Sequence, residues 1–188
     1  MEMTDMDIKW YALRVRPRFE KVVSRNLQGK GYEDFLPLFK RRSQWSDRIK
    51  EIELPLFPGY VFCKFNVLNR LPVLMIPGVT AVVQIGKTPI PVEEHEIKSL
   101  QAAITSGGYY EPWPFPECGQ RVRVEYGSLA GTEGTVLMVK NSYRLVISVN
   151  LLQRAVAVEI DRDCLKLLSP VTQTSTQGVG AASVLQLK

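Results

Sequence analysis

Apolar and polar positions alternate from the start of the sequence. "IKWYALRV" (Ile8–Val15) is rich in strand formers and predicts a strand. "RPR" (Arg16–Arg18) interrupts it. Phe19, Val22, Val23 and Leu27 then recur at helical spacing, and Gly29 and Gly31 supply a stop. Residues Phe35–Trp45 and Ile49–Leu54 read as the arms of a hairpin, with Ser46-Asp47-Arg48 near the turn. Val61–Phe65 is apolar at nearly every residue, the pattern of a central strand. Leu68–Met75 predicts a short helix, although Pro72 works against it. "VTAVVQI" (Val79–Ile85) predicts another strand. Pro91–Ile104 predicts a helix with acids in its first turn, where the helix dipole favours them. Ile97, Leu100, Ala103 and Ile104 form its expected buried face.

The texture then changes. Ser106–Glu117, "SGGYYEPWPFPE", has two glycines and three prolines and suits a linker. Beyond it, "QRVRVEY", "GTVLMVK", "YRLVISVN" and "RAVAVEI" follow at intervals of roughly ten residues, the spacing of a small sandwich or barrel. The last stretch, "SPVTQTSTQGVGAASVLQLK", carries no charge before Lys188 and predicts a disordered tail. The expected organisation is an α+β domain over residues 8–105, a linker over 106–117, an all-β domain over 118–168 and a tail over 169–188. The α+β domain is expected to be an antiparallel sheet flanked by helices.

Charge sharpens this picture. Net charge is +5, but residues 8–50 hold twelve Lys/Arg against four Asp/Glu, so the positive charge sits in one early block. A polyanion is a natural partner for such a block. Cys63, Cys118 and Cys164 are far apart and lack CxxC spacing, so neither a disulfide framework nor a zinc site is expected. The acidic start "MEMTDMD" is no secretory signal, and the bacterial cytoplasm is the expected compartment.

The stretch Val122–Val136, "VRVEYGSLAGTEGTV", alternates valines and then places glycines at 127, 131 and 134. Gly127, Gly131 and Gly134 would permit positive φ or a close backbone approach, and Leu129 would plug a barrel. This resembles the KOW motif, which implies an SH3-like barrel whose closing strands are matched by "LVISVNLLQRAVAVEID". "WYAL", "FEKVVSRNL", "FPGYVFCKF" and "IPGVTAVV" come in the order of a NusG N-terminal domain. Together these stretches resemble the NusG/Spt5 family of transcription factors over about residues 8–168. "PRFEKVVSRNL" and "LLQRAVAVEID" are most similar to its specialised bacterial paralogues of the RfaH, UpxY and LoaP type.

The resemblance implies a monomeric, non-enzymatic elongation and antitermination factor. Its N-terminal domain would bind the clamp helices of the largest RNA polymerase subunit, and its KOW domain would recruit Rho or a small-subunit ribosomal protein. By motif position Phe57, Tyr60 and Phe62 match the polymerase contacts. Spacing alone reads the same aromatics as core; docking would put Tyr60 and Phe62 on an outer face and Val61, Cys63 and Phe65 inside. Arg16, Arg18 and Arg25 match the part of the family that lies near non-template DNA, against the ordinary reading of a solvated charged surface. Lys40, Arg41 and Arg42 have a weaker case for the same role. His95 in "EEHE" is read as an exposed side chain, and neither a catalytic constellation, a metal site nor a cofactor motif is found. An RNA-binding or ribosome-associated KOW protein is the alternative, although the near-neutral second half fits it poorly. Val- and Ile-rich strands favour a barrel over a helical hairpin in the second half.

Overall fold

The computed structural model describes residues 8–45, 48–113, 119–139 and 142–168. The expected tail, Cys118 and the hairpin turn at 46–47 lie outside the described residues.

Four strands build the first sheet: β1 (Ile8–Val15), β2 (Glu33–Phe35), β5 (Tyr60–Asn66) and β6 (Val79–Val82), in the order β2-β5-β1-β6. β1 and β5 run antiparallel, with Tyr11 opposite Cys63 and Leu13 opposite Val61. Alternation sends Tyr11, Leu13, Val61, Cys63 and Phe65 to one face. Val23 and Leu27 of α1 (Glu20–Gly29) and Val73 of α2 (Leu71–Leu74) cover that face. Trp10, Ala12 and Phe62 take the opposite face, in one cluster with Ile97, Leu100 and Ala103 of α3 (Glu94–Thr105). Both faces of β5 are therefore covered, which explains why Val61–Phe65 is apolar at every position but Lys64.

The expected hairpin forms from β3 (Leu38–Trp45) and β4 (Arg48–Pro55), a two-stranded ribbon of its own. Its first arm starts later than expected, because Phe35 ends β2 in the main sheet. The 79–85 segment divides into β6 and β7 (Gln84–Ile85), and β7 pairs only with β8 (Thr88–Pro89). On α1, Val22 is exposed despite its helical spacing; Val23 and Leu27 alone of that set reach the core. The short helix is cut into a 3-10 turn at Val67–Asn69 and α2, leaving Leu68, Leu71 and Met75 exposed. No helix among the described residues is long and apolar enough to cross a membrane.

The C-terminal half is an antiparallel sheet in the order β14-β10-β11-β12-β13-β9. Its strands are β9 (Tyr110–Trp113), β10 (Gln120–Val124), β11 (Glu133–Val139), β12 (Ser142–Val149), β13 (Arg154–Ile160) and β14 (Leu165–Leu167). β9 corrects the sequence reading, since its residues fall in the expected linker. The prolines and glycines there signalled a break, yet β9 is an edge strand, where a proline forfeits no ladder bond the sheet needs. Arg144 anchors it, ion-paired with Glu111 and with its guanidinium 4.9 Å from the Trp113 ring centroid.

Candidate functional site

The "FPGYVF" turn links β4 to β5 and is tied down locally. Leu56 N–H donates to the Pro37 carbonyl at 2.9 Å, and Tyr60 N–H to the Phe57 carbonyl at 3.1 Å. Gly59 sits at φ +84°, a conformation that favours glycine. Its N–H donates at 2.9 Å to Oε1 of Glu20, a carboxylate only 6% exposed in the first turn of α1. The Gly59 carbonyl in turn accepts from Val15 N–H at 2.9 Å. The turn is thus held to both β1 and α1. Glu20 was missed in the sequence because an acid in a first helical turn ordinarily serves only the dipole.

The three aromatics expected to dock a partner do not share one environment. Phe57 and Phe62 are 1% and 0% exposed. Their rings meet edge to face at 5.7 Å, and Phe35 stacks on Phe62 at 6.1 Å. Tyr60 is half-buried, and the Arg154 guanidinium lies 5.4 Å from its ring centroid. The expected outer face of β5 is thus covered. α3 and the C-terminal sheet contribute to the same apolar cluster as Phe57 and Phe62, including Leu129, Val122 and Leu145.

Polar contacts join the two halves around this cluster. Glu96 on α3 is 4% exposed, and its Oε1 accepts from Asn150 N–H at 3.2 Å and from Asn150 Nδ2 at 2.6 Å. The Tyr110 hydroxyl donates to the Leu38 carbonyl at 3.0 Å, linking β9 to the root of the ribbon. Between the halves lies a cleft of about 860 Å³, walled by Phe39, Leu54 and Pro58 on one side and Trp113 and Arg154 on the other.

Arg16, Arg18 and Arg25 are all exposed. Arg18 adopts φ +68° just before α1 and lines the cleft. Arg25 lies further along α1, its Nε donating to the Lys21 carbonyl at 3.2 Å. Arg18 thus faces the cleft, while Arg25 lines a separate hollow beside Asp34 and Phe35.

In the C-terminal sheet, Leu129 is buried. Gly127 and Gly131 have φ of +86° and +84°, and Gly131 N–H donates to the Val124 carbonyl at 2.8 Å. Gly134 meets the other need: a Cβ there would lie 2.6 Å from the Val146 carbonyl oxygen. Cys63 is buried, and burial, with Asp34 and Glu33 adding, pushes its thiol up to about 12. His95 is exposed.

Residues 8–101 match the family model described as "Transcription termination factor nusG". The chain belongs to the NusG family. Membership places it among transcription factors. The NusG named "Transcription termination/antitermination protein" in Lactococcus lactis is 25% identical over 174 residues, covering 85% of this chain and 92% of that protein. Its namesake in Helicobacter pylori strain J99 is 28% identical over 131 residues, covering 68% of this chain and 72% of that protein. The solved structure on domain interaction in Thermotoga maritima NusG covers 86% of this chain and 97% of that one, with TM-score 0.51 and 20% identity. That last likeness is one of fold.

Proposed function

We infer that this NusG-family chain is an elongation and antitermination factor that binds RNA polymerase through its N-terminal half. The surface centred on Tyr60, beside Phe57 and Phe62, meets the clamp helices of the largest subunit, and Arg16, Arg18 and Arg25 lie toward non-template DNA. Bridging the polymerase cleft favours its closed state over the paused one, by differential affinity for the two. The result is fewer pauses and readthrough of terminators. The C-terminal sheet is a KOW barrel of SH3-like form that recruits Rho or a small-subunit ribosomal protein. "PRFEKVVSRNL" and "LLQRAVAVEID" support a place among the specialised paralogues.

The observation that carries this reading is the family match over residues 8–101, which contains the whole "ELPLFPGYVFCKF" stretch. Aromatics with a polar handle dominate protein interfaces, and Tyr60 is such a residue at the margin of the cluster. In the closed arrangement Arg154 covers its ring. Polymerase binding therefore competes with the contact between the two halves.

Co-purification with RNA polymerase tests the reading. Tyr60→Ala is the informative variant, because Phe62→Ala empties the core and confounds loss of contact with loss of fold. Binding by wild type that is lost in a folded Tyr60→Ala supports the docking surface. Equal binding by both moves the contact elsewhere, and no binding by either removes the polymerase role.

A further inference from the structure

The tether between the two halves is shorter than its sequence suggests. Helix α3 ends at Thr105 and β9 begins at Tyr110, so only Ser106 to Tyr109 lie between them. Four residues span at most about 14 Å when fully extended. With β9 paired to β13, the C-terminal sheet therefore stays close to α3.

β9 grips both halves. It runs antiparallel to β13, with Tyr110 opposite Val158 and Trp113 opposite Ala155. Alternation sends its side chains to two sides. Glu111 and Trp113 serve the sheet: both hold Arg144 of β12, and Trp113 packs against Ala155 and Ala157. Tyr110 serves the closure. Its half-buried ring packs against the cluster that contains Phe57 and Phe62, and its hydroxyl donates to the Leu38 carbonyl at 3.0 Å. Pro112, on the same side as Tyr110, lines the cleft between the halves, which Trp113 also reaches from the end of the strand.

The grip is a reversible one. β9 has four residues and lies at the edge of its sheet, and Pro112 has no N–H to give to the ladder. Short edge strands open at the low end of a protein's range of local stabilities. Gly107, at φ +71°, and Gly108 precede the strand and let the chain swivel there. Release of β9 adds residues 110–113 to the tether and doubles its reach to about 28 Å. The same step frees Tyr110 from Leu38, and β13, which carries Arg154, can then move away from Tyr60.

We propose that β9 is a strap that couples two events: while it is zipped to β13 the halves stay closed, and when it peels away they part. The strap sets the exposure of the Tyr60 surface. It acts in the free chain, so it stands whether or not RNA polymerase is the partner.

The test is small-angle scattering of the free full chain, with amide exchange along β13 as a second readout. Glu111→Lys sets a cation against Arg144 and acts on the sheet side only. Tyr110→Phe keeps the ring and the strand and removes the hydroxyl bond to Leu38, so it tests the closure even where Glu111→Lys disturbs the sheet. Tyr109→Phe is the control: Tyr109 is exposed, and its hydroxyl donates only locally, to Glu111 at 3.2 Å. Glu111→Lys is expected to speed exchange over Ala155–Val158 by about tenfold or more and to raise the radius of gyration by about 2 Å or more. Tyr110→Phe is expected to raise the radius by a smaller amount, and Tyr109→Phe to change neither readout. Faster exchange in Glu111→Lys with an unchanged radius would show that the strand lets go without the halves parting, and would overturn the proposal. So would an unchanged radius in both Glu111→Lys and Tyr110→Phe, or a rise in Tyr109→Phe as large as theirs.

Discussion

Arg154, on the C-terminal sheet, holds its guanidinium 5.4 Å from the ring centroid of Tyr60, on the central sheet of the N-terminal half. The contact joins a residue expected to dock polymerase to the element that covers it. A cation over an aromatic face contributes about 0.5–2 kcal/mol, enough to bias an open–closed equilibrium without fixing it. Arg154→Ala is therefore expected to raise apparent affinity for RNA polymerase by about two- to thirtyfold, through a larger open population. Titration of labelled chain with polymerase measures this. Unchanged or weaker binding would mean that Arg154 does not restrain the docking face.

Glu96 makes the reciprocal case from α3. Its removal leaves both Asn150 donors without their buried acceptor. Glu96→Ala is expected to cost about 1–3 kcal/mol, and Glu96→Gln less, since the amide oxygen can still accept both bonds but without the carboxylate charge. Thermal melts of the two variants, ranked against wild type, check the order.

Phe62 and Tyr60 should separate fold from function. Phe62→Ala is expected to destabilise by about 3–5 kcal/mol, because the ring is fully buried between Phe35 and Phe57. Tyr60→Ala removes a half-buried ring and should cost under about 2 kcal/mol. Urea unfolding gives both values. Similar costs would place Tyr60 in the core as well and weaken its case as a contact.

Gly134→Ala is expected to destabilise by about 1–3 kcal/mol, because the added Cβ meets a carbonyl oxygen that cannot swing aside. Gly131→Ala has open space around it, but its φ of +84° costs an alanine about 1–2 kcal/mol. The first variant should loosen the β11–β12 pairing, seen as faster amide exchange there. The second should leave that pairing intact.

Cys63 gives a pH dependence with a definite sign. Its thiol rises from 9.0 to about 12 in the folded chain. Below the unfolded value both states hold the proton and the group has no effect on pH dependence. Between that value and about 12 the unfolded thiol ionises first, so its contribution to stability is lost as pH rises through the window. Alkylation at pH 8 should be slow in the native state and fast in urea, and Cys63→Ala should reduce the alkaline slope of stability.

Periodicity determined much of this protein before any folding was considered. Alternating and helical spacing are local signals, and they marked β1, α1, α3 and the strands β10 to β13. The glycines at 127, 131 and 134 were legible too, since a missing Cβ speaks directly of backbone shape. The tertiary structure alone decided what each face meets. An apolar stripe says that a surface is covered but not by what, so Phe62 could be read as core or as contact until α3 and the C-terminal sheet closed over it. The same holds for Glu20 and Glu96, whose burial depends on donors 39 and 54 residues away. Strand β9 is hidden for a related reason: its pairing with β13 is a long-range choice, and its own residues argue for a break.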